Sequence, residues 1–286
     1  MIFLLASLAL ADDSKPKKPI AKPEAGDVSI GFNAVPVLDF ALNAVNIMSD
    51  TGQHGEGLAD FPEGHANTLM AKYFISNKMA IRAHFSPNMV RSSTATDYQH
   101  PVDVADPDVE EKDTRLISDI TDLSSYDYVL GGGIEMRRGG GRLWGVYGAG
   151  AVLGVSGAQS ETTYGYAYDQ DAFDLGVIRD GQERTTKTEF GRTTTVGLRG
   201  FGGVEYFVAN RISLGAEYGL ALARSKTKRG TVSTERWDVD EEGNGSTSTF
   251  DNKAGGESGV FVMGVDNGTN ASYLSSNGSI MLNFYF

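Results

Sequence analysis

The sequence predicts an all-β fold, an eight-stranded antiparallel up-and-down transmembrane β-barrel with long extracellular loops. Three observations lead there. Apolar and polar residues alternate with a period of two along much of the chain, the mark of strands with one apolar face. Similar hairpins recur: Lys72 to Ala83 reads KYFISNKMAIRA and Glu205 to Ala216 reads EYFVANRISLGA. Tight and long connections alternate, as they do in barrels with short turns at one rim and loops at the other.

The first segment, Met1 to Ala11 (MIFLLASLALA), is an uncharged apolar run ending in Ala-Leu-Ala. It reads as the apolar part of a secretory signal, with cleavage after Ala11. Residues 12–26 carry four lysines and three prolines and read as an extended linker. The barrel is expected over residues 27–286, with a first strand near Asp27 to Val35. Pro36 to Asn46 spaces Val37, Leu38, Ala41, Leu42 and Val45 as one or two turns of amphipathic helix; continuation of the first strand is the alternative.

Three hairpins follow. The first turns at Asn77-Lys78, the second at Gly139 to Gly141, the third at Asn210-Arg211. A last strand near Ser275 to Phe286 makes eight. Between the hairpins lie four long connections, at about residues 36–66, 87–124, 159–192 and 226–274, expected as loops. Three Asn-X-Ser/Thr sequences, at Asn267, Asn270 and Asn277, read as turn residues.

Composition narrows the class. Glycine takes 36 of 286 residues, against about 7% of an average chain, which suits curved or closely packed strands. There is no cysteine, so neither disulfides nor thiolate metal sites arise. A net charge of -12 argues against nucleic acid. No later segment has 18 continuous apolar residues; the nearest, Leu143 to Ala158, is broken by five glycines.

The polar faces of the strands hold Lys72, Arg82, Asp127, Glu135, Arg137, Arg199, Glu205 and Glu217. Glycines and ions of both signs would fill the narrow interior of eight strands, as a structural network in which each charge needs a partner. Glu217 with Arg199 or Arg82 is the kind of pair expected. Tyr73, Phe74, Tyr206, Phe207 and Tyr285 near strand ends suit an interfacial aromatic girdle.

The last eight residues, Ser279 to Phe286 (SIMLNFYF), set Ile280, Leu282, Phe284 and Phe286 on one face. This resembles the C-terminal insertion signal of outer-membrane barrels, although Met281 stands where the proteobacterial form favours glycine. The whole stretch resembles small bacterial outer-membrane β-barrel proteins of the OmpA/OmpX-like, Bacteroidota type. That resemblance implies a bacterial outer-membrane location, both termini periplasmic and the long loops extracellular. It implies outer-membrane lipid and the barrel assembly machinery as partners, with an envelope or extracellular protein at the loops.

The function expected is non-enzymatic: a surface or envelope protein presenting loops for adhesion, partner binding or envelope integrity. One alternative is a lipid A-modifying hydrolase using His84 and Ser86, a His-x-Ser on a strand. Another is a narrow channel for small solutes. No cofactor is expected. His54, His65 and His100 lack metal-like spacing, and the acidic runs at Asp103 to Asp113 and Asp238 to Glu242 lack that of a calcium loop.

Overall fold

The computed structural model describes residues 23–34, 68–106, 110, 114–264 and 279–286. The signal segment, most of the linker, the helix expected at 36–46, His54, His65 and the three Asn-X-Ser/Thr sequences lie outside these residues.

Among the described residues, twelve strands form one sheet, joined by two short helices. In chain order they are β1 (Val28–Asn33), β2 (Leu69–Ser76), β3 (Met79–Gln99), α1 (Pro101–Ala105), β4 (Leu116–Gly140), β5 (Leu143–Thr163) and α2 (Gln170–Asp174). There follow β6 (Glu183–Glu189), β7 (Thr193–Ala209), β8 (Ile212–Thr227), β9 (Gly230–Val239), β10 (Gly245–Ala254), β11 (Ser258–Gly264) and β12 (Ser279–Tyr285). No described helix is long and apolar enough to cross a membrane, which has no bearing on strands.

Every pairing is antiparallel. The ladder β1–β2–β3–β4–β5 continues from β5 to β7, from β7 to β8, from β8 to β12 and from β12 back to β1. Eight strands thus pair in a closed circuit, called the ring below. The sheet also branches: β6 pairs with the far end of β5, β9 with β6 and β10 with β9, while β11 pairs with β8 beyond β12.

The expected eight-stranded fold with irregular loops is therefore corrected to twelve strands in one branched sheet. Segment 87–124 is mostly ladder, with β3 and β4 paired from Met79↔Met136 to Gln99↔Leu116. Residues 159–192 and 226–264 supply the end of β5, then β6, β9, β10 and β11. These stretches are rich in Thr and Ser on both faces, as in ERTTKTE and GSTSTFDNKA. A strand polar on both sides shows no hydrophobic alternation, although its β-branched residues favour the extended chain. The transmembrane assignment rests in part on turns at one rim and irregular loops at the other, and sheet running through those segments removes that part of the argument.

The three hairpins turn tightly. The centres are Asn77-Lys78, Gly141-Arg142 and Asn210-Arg211, the second slightly later than expected because β4 runs through Gly140. Gly141 and Arg211 adopt φ of 62° and 63°, the left-handed conformation of tight hairpin turns.

Alternation decides what faces where. Along the ring, Ile30, Tyr73, Ile81, Leu130, Ile134, Leu198, Leu220 and many similar residues point outward and are exposed, Leu198 at 64%. Inward, near the hairpin turns, Phe74, Ala80, Trp144, Phe207 and Tyr285 form a buried cluster. The girdle reading is thus corrected: Tyr73 and Tyr206 are exposed outside, whereas Phe74, Phe207 and Tyr285 plug the interior. Strand parity explains it, since neighbours in sequence face opposite sides.

Candidate functional site

Seven of the expected polar-face residues meet inside the ring. Glu217 accepts from Arg82 Nη1 at 2.7 Å and Nη2 at 3.3 Å, and pairs with Arg199 at 3.0 Å. Glu135, fully buried, takes Lys72 at 2.9 Å, Arg82 at 3.5 Å and Arg137 at 3.7 Å. Glu205 pairs with Arg137 and accepts from Ser213, Tyr285 and Asn283. The chain of contacts runs Arg199, Glu217, Arg82, Glu135, Arg137, Glu205, with signs alternating throughout. Asp127 lies further along β4, opposite Asn88 and Ser156 in register.

Aromatic faces complete the surroundings of the cations. The Arg137 guanidinium lies 5.1 Å from the Phe74 ring centre, 5.5 Å from Trp144, 5.8 Å from Phe207 and 5.9 Å from Tyr285. Arg82 stacks 4.0 Å over Phe201. Both ion pairing and ring quadrupoles offset the loss of water around these charges.

His84 and Ser86 do not form a hydrolytic site on the outer surface. Ser86 is buried within the ring, its Oγ accepting from the Thr68 hydroxyl at 3.2 Å. His84 lies across Gly131, where any Cβ would overlap the imidazole ring; glycine is required there to admit it. The lipid A hydrolase reading is thus overturned by the direction in which these side chains point. The space left among Arg82, His84, Arg199 and Phe201 is about 10 Å³, at most one water, which leaves no solute-sized passage at that level of the ring.

Beyond the ring, the ends of β3, β4 and β5 join β6, β9, β10, α1 and α2 in a second packed region, called the head below. Its core is Tyr168, Ala172, Ile178 and Trp237, with Val102, Tyr166, Phe173, Val177 and Val239 against it. Arg184 lies over Tyr164, Tyr166 and Tyr168 at 4.2, 4.9 and 4.0 Å and pairs with Glu235, its register partner. Burial raises the phenols of Tyr164 and Tyr166 above the usual tyrosine value. Hydrophobic periodicity missed this region. The closely spaced Tyr164, Tyr166 and Tyr168 were the available signal.

The acidic runs have structural work in the head. Asp103 holds the Arg115 side chain at 2.7 and 2.8 Å and the Arg115 amide at 3.0 Å. Those hydrogen bonds hold its carboxyl well below the ordinary carboxylate value. His100 stands beside it at 3.5 Å. Asp238 pairs with Arg236 at 2.6 Å, and Asp240 caps the β9–β10 turn through the amides of Glu242 and Asn244. Among the described residues, no three His, Asp or Glu gather as a metal site.

Where head meets ring there is an open cleft of about 500 Å³. Tyr126 and Gly157 form part of its wall, Glu189, Phe190 and Arg192 a second part, and Lys228 to Thr231, the β8–β9 connection with the start of β9, a third. Sequence reasoning gave no notice of it, because Glu189, Phe190, Arg192 and residues 228–231 come from two segments expected as loops, and only the fold brings them against Tyr126 and Gly157.

Ile280, Leu282 and Phe284 lie on β12 between β1 and β8, where pairing closes the ring; Phe286 is exposed beyond it. No family model, curated protein or solved structure matches the chain. The resemblance to OmpA/OmpX-like proteins is therefore unsupported. The outer-membrane location and the partnerships with outer-membrane lipid and barrel assembly machinery drawn from it are withdrawn. So is the reading as an integral outer-membrane surface protein.

Proposed function

We propose that this protein is a non-catalytic binding protein, in which an ion-filled ring holds a packed head where ligands are taken. The observation that carries the reading is the contrast in available space. Around Arg82 and Arg137 the ring interior is filled by paired ions and aromatic rings, with space for about one water beside Arg82 and His84. The open space lies at the head, in a cleft of a size usual for small ligands. Its walls come from segments held by backbone ladders, so the site is largely preformed.

The test is a thermal-shift panel of small anions, cations and neutral sugars on the full chain, with turnover of a nitrophenyl ester followed in parallel. Saturable stabilisation by one class without turnover is the expected outcome. Ester hydrolysis that disappears in Ser86→Ala would show an enzyme and sink the proposal.

A further inference from the structure

We infer that the cleft between ring and head is a site for a phosphomonoester carrying an aromatic or apolar group. The inference rests on the binding reading above and names its ligand class. Three cations border the cleft, Arg192, Lys228 and Arg229, in a chain of net charge -12. No side-chain hydrogen bond or ion pair joins them to another described residue. Nearby cations behave otherwise: Lys187 pairs with Glu189 at 2.6 Å and Lys226 with Glu257 at 3.7 Å. The single carboxylate in the wall, Glu189, is thus already engaged by Lys187.

Three cations against one neutralised carboxylate suit a doubly charged anion better than a singly charged one, and arginine forks match phosphate oxygens. Phe190, 55% exposed, stands in the same wall. In another part of the wall the Tyr126 phenol lies across Gly157 and its ring stacks on Tyr128 at 5.6 Å. An aromatic group on the ester therefore has rings to rest against, with a hydroxyl beside them.

The rim is also set in place. The Phe190 amide donates to Ala158 at 2.9 Å and the Lys228 amide to Arg192 at 3.0 Å. At Gly191 the backbone passes so close to the Lys228 carbonyl that a Cβ would overlap it. Residues 190–192 and 228–230 are therefore clamped together, presenting their side chains to one space.

Isothermal titration of the full chain with phenyl phosphate, phenyl sulfate and inorganic phosphate tests this. Phenyl phosphate should bind saturably and at least about tenfold more tightly than either of the others. A triple variant, Arg192→Gln with Lys228→Gln and Arg229→Gln, should lose that binding while keeping the circular dichroism of the parent, since all three side chains are exposed. Phe190→Ala should keep phosphate binding and lose the preference for the phenyl ester. Equal binding of the sulfate, or binding that survives in the triple variant, would overturn the assignment. So would the absence of saturable phosphate binding. If phenyl phosphate fails to bind the full chain while another class from the panel binds it, the binding reading stands and only this ligand assignment falls.

Discussion

Ring and head are built from the same sheet with opposite polarity. In the ring, large apolar side chains face outward while Lys72, Arg82, Glu135, Arg137, Glu205 and Glu217 are buried. In the head, Trp237, Ile178 and Tyr168 are buried, and exposed positions carry charges such as Glu183, Glu241 and Glu242. The head follows the ordinary rule for a surface in water. The ring reverses it, with Ile134, Leu198, Leu220 and similar side chains exposed along its outside, and exposed apolar surface of that kind promotes association. The outer apolar side chains of the ring ask for an apolar cover, whereas exposed apolar residues of the head such as Val104 and Leu116 stand among polar neighbours.

Removing that cover should have the largest effect. In buffer without amphiphile the chain should self-associate through the ring, and a mild detergent should return it to a single species of one copy, read by size-exclusion chromatography with light scattering. A monodisperse single copy in plain buffer would break the comparison, because the belt would then tolerate water. A discrete oligomer that persists in detergent would show instead that other copies cover it.

The same contrast governs what could be read from sequence. Strands with one apolar face announce themselves, which is why the positions around Asn77-Lys78 and Asn210-Arg211 were legible as turns. So were the residues that form the ionic chain, because ions on the polar face of alternating strands have few places to go. Partners such as Ser213, Asn283 and Tyr285 were not, since register sets them and neutral polar residues carry no pattern. The head was illegible for a further reason. The ladders formed by β6, β9 and β10 are Thr- and Ser-rich on both faces, and its core joins Val102, Phe173 and Trp237 from distant segments.

Substitutions inside each region sharpen the comparison. Glu135→Ala leaves Lys72, Arg82 and Arg137 around an empty centre, and breaking one side of a buried ionic cluster costs about 3–5 kcal/mol. Because the ring is one closed ladder, the loss should appear as a lower midpoint for the whole cooperative transition. Trp237→Ala removes the largest side chain of the head core, costing about 3 kcal/mol. That loss should stay local, read as faster amide exchange in β9 and β10 with β1, β2 and β12 unchanged. If Trp237→Ala lowers the ring midpoint as much as Glu135→Ala does, the two regions are one cooperative unit and the comparison fails.

The smallest effect concerns the Asp103–Arg115 contact that ties α1 to the start of β4. Arg115 hydrogen bonds depress the Asp103 carboxyl below its unfolded value, so the contact contributes above that value, about 4. It is lost only as pH falls through the lower, folded value. Mild acid should therefore leave it intact, with loosening confined to stronger acid than an ordinary carboxylate would need. The probe is the His100 amide, which donates to the Arg115 carbonyl at 2.7 Å. Its exchange, corrected for the intrinsic pH dependence, should stay constant from pH 7 to about 4. Asp103→Asn should quicken it already at pH 7, since the neutral amide cannot replace the carboxylate between both Arg115 donors. Loosening that begins near pH 5 in the unsubstituted chain would mean that Arg115 does not hold the carboxylate, and α1 would then owe its position to Val102 packing against the head core alone.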